Sequence, residues 1–205
     1  MHKVKNKILF NKEIYMKNDA LTIPFFHATI KSKTEKTMWI TTKRLKLKPL
    51  SDSDVPALKE LFTNDEVKKT YMIPDFADEN AFMKTFDYLK KLSLDENGHT
   101  AGIFLGEELI GLFHKVDING DRVEVGYAIH PRFWNQGYAT EALRAGIGYF
   151  FEKGFSEVYA GAFKTNRAST RVMEKAGMKK TNMKASVDYR GKKYPCVYYS
   201  VKRDK

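Results

Sequence analysis

The chain has 205 residues, 42% hydrophobic and 13% aromatic, which is enough to bury a substantial core and short for a second full domain. Its 36 lysines and arginines against 25 aspartates and glutamates give a formal net charge of +11, which points to an anionic partner without choosing among nucleic acid, a ribosome surface and a phosphorylated cofactor. The lone Cys196 excludes an internal disulfide and a multi-cysteine metal site, and no apolar run approaches the roughly 18 residues that span a bilayer, so a reducing cytoplasm is expected and a secretory signal or membrane anchor is not.

Residues 1–37 carry eight lysines against Glu13, Asp19 and Glu35, a net +5, and lack clean helical or strand periodicity. They read as a basic N-terminal extension, or as an upstream stretch if the native start is Met38, ahead of one domain over residues 38–205. From Trp39 to Leu50 the chain alternates, Leu45 and Leu47 against Arg44, Lys46 and Lys48, as a half-buried strand does. Ser51 and Asp54 then form a capping pair before a helix bearing Val55, Leu58, Leu61 and Phe62. A second helix is predicted from about Asp78, with Phe82, Phe86, Leu89 and Leu92 on one face. Short apolar strands at Thr100–Leu105 and Leu109–Val116 flank the turn Gly106-Glu107-Glu108. Asn119-Gly120 is a hairpin signal, because both residues tolerate positive φ. On the next strand Val123, Val125, Tyr127 and Ile129 share one face, and Glu124, Gly126 and Ala128 the other.

Ala139, Ala142, Leu143, Ile147, Phe150 and Phe151 then recur at helical spacing, predicting a helix from about Gly137 to Lys153 that Gly154 ends. A strand at Val158–Phe163, a helix at Ala168–Ala176 closed by Gly177, and two strands around Arg190-Gly191 complete the chain. The result is an α/β fold, a mixed sheet of about seven strands covered by about four helices. No Gly-x-x-x-x-Gly-Lys-Ser/Thr or dinucleotide-binding fingerprint is present, and His99, His114 and His130 lack metal-ligand spacing.

The junction from Val125 to Ala142 carries the most chemistry. The first turn of a helix presents backbone N–H groups without intrahelical partners and about half a positive charge, so it holds an anion such as a pyrophosphate without any side chain. Gly137 and Ala139 keep the approach open. Gly137-Tyr138-Ala139, reached through Trp134-Asn135-Gln136 and followed by Thr140-Glu141-Ala142, resembles the acyl-CoA pyrophosphate loop of the GNAT superfamily of N-acetyltransferases, and most resembles its RimJ/RimL-like branch. Two further segments agree: Thr42-Lys43-Arg44-Leu45-Lys46-Leu47-Lys48-Pro49-Leu50 is similar to that branch's first strand, and Asn166-Arg167-Ala168-Ser169 before Glu174-Lys175-Ala176-Gly177-Met178 is similar to its second cofactor motif. The resemblance covers roughly residues 38–201. Trp134 stands where many superfamily members have Arg or Gln, a substitution the branch tolerates.

The resemblance implies a mixed, mostly antiparallel sheet, acetyl-CoA as co-substrate without a metal, and direct attack by an amine without an acetyl-enzyme. It assigns cofactor contacts to Ala128, Ile129, Asn135, Gln136, Gly137, Tyr138, Ala139, Thr140 and Asn166. An alkylammonium is mostly protonated at neutral pH, so a base must take a proton, directly or through water. Glu124 matches the strand carboxylate that histone-acetylating members use for this; the alternative is an ion pair with Arg122 or Lys164. The thiolate-protonating Tyr of many members falls at Met173, leaving Ser169 as a candidate acid or else a helix-packing hydroxyl. Asn166 either contacts pantetheine or caps the following helix, or does both. Arg132, Arg167, Arg171 and Lys175 are candidate phosphate contacts. Cys196, far from these motifs in sequence, is expected to be a small apolar strand residue. Asp75, Asp78 and Glu79 either attract a cationic acceptor or serve as helix-start charges.

The expected activity is acetyl transfer to a protein N-terminal amine of the ribosomal-protein type. Alternatives are a small amine or polyamine acceptor, or a non-catalytic acyl-CoA-binding module. Nucleic acid is not expected as substrate, and the oligomer is left open between monomer and homodimer.

Overall fold

A computed structural model describes residues 39–203, so the basic extension expected over residues 1–37 lies outside the described residues. The elements run β1 (Ile40–Thr41), β2 (Leu45–Lys48), α1 (Val55–Thr63), α2 (Asp65–Lys68), α3 (Glu79–Leu94), β3 (Thr100–Leu105), β4 (Glu108–Asn119), β5 (Arg122–Ile129), α4 (Tyr138–Glu152), β6 (Glu157–Phe163), α5 (Arg167–Lys175), β7 (Lys179–Tyr189) and β8 (Lys192–Lys202). All eight strands form one sheet in the order β1-β2-β3-β4-β5-β6-β8-β7. Every neighbouring pair is antiparallel except β5 and β6, which α4 connects as a crossover. This is the mixed, mostly antiparallel α/β fold expected, with one strand more than counted from the sequence.

The strand alternation sorts the apolar residues into two layers. On one face Val123, Val125, Ile129 and Phe113 pack with Leu143, Ile147 and Phe150 of α4 and Met173 of α5. On the other Ala128, Leu112 and Phe104 pack with Leu58, Leu61 and Phe62 of α1 and Phe82, Phe86 and Leu89 of α3. Among the described residues no helix is long and apolar enough to cross a membrane, and no group of three His, Cys, Asp or Glu side chains is placed to hold a metal ion.

Three local expectations shift. The strand read over residues 39–50 is broken at Thr42–Arg44, because the Thr42 hydroxyl accepts from the Leu45 N–H at 2.9 Å while the Thr42 N–H donates to the Leu45 carbonyl at 2.9 Å. That local closure folds β1 back on β2, pairing Ile40 with Leu47. The one-turn helix α2 was not read from the sequence; Asn64 nucleates it by accepting from the N–H groups of Glu66 and Val67. The β4–β5 turn sits one residue later than Asn119-Gly120: Asn119 pairs with Arg122, so Gly120 and Asp121 make the turn and only Gly120 of the expected pair takes positive φ.

Candidate active site

The site is built on a failure of strand pairing. β5 and β6 pair only at Arg122–Glu157, Val123–Val158 and Glu124–Tyr159. Beyond Glu124, β5 stays with β4 up to Ile129 and β6 stays with β8 up to Phe163, so the two diverge. The gap opens into a cavity of about 610 Å³ lined by both strands, by the loop before α4 and by α5. Along β5 from Val125 to Ile129 the backbone edge facing the gap has no strand partner among the described residues, which leaves N–H and C=O groups for an added extended chain. The indole N–H of Trp134 donates to the Ile129 carbonyl at 2.6 Å and so caps that edge where the strand ends.

At the mouth of the gap the chain turns into α4. Asn135 at φ 60° and Gly137 at φ 82° reverse its direction, and Gly137 occupies the N-cap without a side-chain cap. The first intrahelical bond runs from the Glu141 N–H to the Gly137 carbonyl at 3.0 Å, so the amides of Tyr138, Ala139 and Thr140 keep no backbone partner within the helix. An anion is the natural occupant of that position.

The loop is held from outside by residues almost a hundred positions away. The Arg44 Nε donates to Glu141 Oε2 at 2.6 Å and its Nη1 to the Gln136 carbonyl at 2.9 Å, while the guanidinium lies 4.4 Å from the Tyr138 ring centre. Glu141 is also bonded by the Thr42 hydroxyl at 2.6 Å and the Arg44 N–H at 3.0 Å. Burial pushes the Glu141 carboxyl up, but these donors outweigh it and hold the acid below the usual carboxylate range.

On the α5 side, the Asn166 side chain caps the helix by accepting from the Ser169 N–H at 3.0 Å. Asn166 therefore fills the capping role and lines the cavity at once. The Tyr127 hydroxyl reaches across from β5 to lie 3.1 Å from Ser169 Oγ and 3.2 Å from the Ser169 carbonyl. Burial pushes the Tyr127 hydroxyl up to about 12, against the lowering effect of Ser169, so it stays protonated. Met173, at the position of the usual acid, is fully buried in the core.

On the opposite side of the sheet, Glu124 lines the cavity together with Tyr71, Met72, Val187, Cys196 and Tyr198. The Tyr198 hydroxyl is pushed above the ordinary tyrosine range by burial and then by the Glu124 charge. Tyr71 is fixed by a 2.5 Å hydrogen bond to His114 Nε2. His114 is held neutral, its pKa lowered to about 4 by burial. Its ring lies against Gly126: a Cβ there would come within 2.5 Å of Nε2, so only glycine lets the histidine reach Tyr71.

Of the residues proposed from the sequence, Glu124, Ala128, Ile129, Asn135, Gly137, Tyr138, Ala139, Thr140, Asn166 and Ser169 all border this one cavity. Gln136 does not: its side chain folds back onto the Arg132 carbonyl at 3.2 Å. Of the candidate phosphate contacts, Arg171 and Lys175 line the cavity, whereas Arg132 is engaged by Glu60 and Glu108. Asp78 caps α3 and Glu79 lies in its first turn, paired with Lys59, so these two stand as helix-start charges, whereas Asp75 lies in the preceding loop, held by Lys68 and Arg190. Cys196 is a half-buried strand residue as expected, but it is not remote from the site, since β8 brings it to the cavity wall, where burial and then Glu124 push its thiol up. A protonated thiol is a poor nucleophile. Tyr127, Tyr71 and the Arg44–Glu141 pair were not anticipated; their partners lie 42, 43 and 97 residues away, and no local pattern reports such pairing.

Residues 44–179 match the family described as the acetyltransferase (GNAT) domain. The chain is 30% identical over 168 residues to YoaA of Bacillus subtilis, described as an uncharacterized N-acetyltransferase, covering 79% of this chain and 95% of that one. Among solved structures, an acetyltransferase of the GNAT family from Bacillus anthracis superposes with a TM-score of 0.68 at 24% identity, covering 80% of this chain and 98% of the other. RimL, described as a ribosomal L7/L12 alpha-N-protein acetyltransferase in complex with coenzyme A, gives 0.68 at 20% identity over 78% and 95%; at such identities these two likenesses speak for the fold alone. The family match, the relative and the splayed sheet agree, and the chain belongs to the GNAT family of acetyltransferases.

Proposed function

We propose that the protein transfers the acetyl group of acetyl-CoA to a protein N-terminal amine, of the ribosomal-protein type, by direct attack of the amine on the thioester. The observation that carries this reading is the divergence of β5 and β6 immediately after Glu124, which leaves a carboxylate at one side of a gap and a helix N-terminus at the other. In this reading the α4 amides with Gly137, Ala139 and Thr140 hold the pyrophosphate, and the arm enters the gap along the open β5 edge, with Asn166 beside it. A backbone N–H near Ala128 or Ile129 stabilises the oxyanion. Glu124 takes the amine proton, directly or through water, and Ser169 with Tyr127 offers a proton to the departing thiolate.

The substrate part of the reading draws on RimL, whose described acceptor is ribosomal L7/L12. We read residues 38–205 as the acetyltransferase domain, residues 1–37 as its basic extension, and the cytoplasm as its setting, in keeping with the single reduced cysteine. The test is an acceptor screen with acetyl-CoA and thiol detection, using N-terminal peptides, polyamines and aminoglycosides. CoA release with peptides supports the reading, and release with small amines alone overturns the protein acceptor.

A further inference from the structure

The positive charge is not spread over the fold. Residues 38–178 hold 19 lysines and arginines against 20 acids, a net −1, whereas residues 179–202 hold seven against Asp188 alone, a net +6. The β7–β8 hairpin therefore accounts for the whole cationic excess of the domain. All seven of its cations are exposed. Only Arg190 is held by a carboxylate among the described residues, Asp75; the lysines at 179, 180, 184, 192, 193 and 202 have none. Keeping unneutralised lysines together costs repulsion that a partner of opposite charge would relieve.

The hairpin is also tied to the acceptor side of the site. Tyr189 donates to the Ile73 carbonyl at 3.0 Å and Arg190 pairs with Asp75, which fixes the tip against the loop that carries Tyr71 and Met72. Val187, Cys196 and Tyr198 of the same hairpin face the cavity beside Glu124. Residues 51–100, which carry α1 to α3, have the opposite sign overall, with six lysines against eleven acids, a net −5. Of that segment's charged residues, Glu66 and Lys69 line the cavity and pair with each other.

An acceptor fits this field with its ammonium end toward Glu124 and an anionic body along β7 and β8. A polyamine, cationic throughout, is repelled by the hairpin, and a nucleic acid brings no aliphatic amine to Glu124. We infer that the acceptor is the N-terminal amine of an acidic polypeptide segment, which docks on the lysines of the β7–β8 hairpin. This inference rests on the protein-acceptor reading above and names its substrate class.

The test uses the full chain, acetyl-CoA, and peptides that share an N-terminal sequence followed by a glutamate-rich, a serine-rich or an arginine-rich tail. Because several exposed pairs form together, kcat/KM for the glutamate-rich peptide is expected to exceed that for the serine-rich one by about tenfold at low salt, with the arginine-rich peptide slowest. The preference should shrink as salt is raised. Combining Lys179→Glu, Lys192→Glu and Lys202→Glu, which the strand register places on the same face as Glu124, should abolish it while the KM for acetyl-CoA stays unchanged. Equal turnover of the three peptides, or a preference that survives the triple substitution, overturns the inference and leaves the protein-acceptor reading standing. Turnover of polyamines without any peptide overturns both. An RNA oligonucleotide that binds the hairpin more tightly than the acidic peptide, and loses that binding in the triple variant, reassigns the surface to nucleic acid.

Discussion

Replacing Arg44 with alanine should weaken acetyl-CoA binding without touching any atom of the proposed reaction. The guanidinium spans Glu141 at 2.6 Å and the Gln136 carbonyl at 2.9 Å, and covers the Tyr138 ring at 4.4 Å, so it braces both sides of Gly137. Its side chain is 39% exposed, so the ion pair is discounted to about 0.5–1 kcal/mol. The bond to the Gln136 carbonyl and the ring contact add contributions of about the same size each. Glu141 keeps the Thr42 hydroxyl and the Arg44 backbone N–H, so the substitution leaves no buried unpaired charge and the fold survives. If roughly half to all of a combined stabilisation of about 2 kcal/mol orders the loop for pyrophosphate, the dissociation constant for CoA rises about 5- to 30-fold. The assay compares acetyl-CoA with S-acetylpantetheine, which lacks the pyrophosphate. Steady-state kinetics of Arg44→Ala should show a raised KM for acetyl-CoA, a nearly unchanged kcat, and an unchanged KM for S-acetylpantetheine. An equal loss for both donors, or none for either, would refute the reasoning.

Other predictions follow from the same geometry. His114 is neutral in the folded chain with a pKa of about 4, while an unfolded histidine titrates near its ordinary 6.5, so the unfolded state binds the extra proton first. Stability from this group is complete above about pH 6.5 and is lost as pH falls toward 4, by an amount on the order of 3 kcal/mol; His114→Gln should flatten that slope in urea titrations across the window, and an unaltered slope would contradict it. Gly137→Ala meets little crowding, the nearest atom to the new Cβ being Arg44 Nη2 at 3.4 Å, but it forces a non-glycine residue to φ 82°. A loss of about 1–2 kcal/mol in chemical denaturation is expected, and unchanged stability would show that the turn relaxes freely. Ser169→Ala and Tyr127→Phe each break the 3.1 Å hydroxyl pair; if that pair supplies the thiolate proton, each lowers kcat at neutral pH with little change in the KM for acetyl-CoA, whereas an unchanged kcat rules out an obligatory acid.

What the sequence disclosed and what it withheld divide along the range of the interactions. The α4 start was legible because Gly137 and the apolar spacing after it are local consequences of one helix. The two faces of β5 were legible from alternation, and Glu124 and Ala128 do lie on the side away from α4. The break at Thr42 was hidden because a threonine hydroxyl can close a turn just ahead of the alternating run from Arg44 to Lys48. The divergence of β5 from β6 cannot be read from either strand, since it depends on which neighbour each keeps. The nearness of Cys196 to the site was hidden for the same reason: distance along the chain says nothing once β8 lies beside β6, with Cys196 opposite Phe163.

The most direct test of the account measures thiol release from acetyl-CoA with an N-terminal peptide, comparing wild type with Glu124→Gln from neutral pH up to the pKa of the free amine. If Glu124 removes the amine proton, the variant loses about 10²- to 10⁴-fold in kcat/KM near pH 7 and recovers as the amine deprotonates in solution. Full turnover by Glu124→Gln at every pH would contradict the assignment of Glu124 as the base at the gap between β5 and β6.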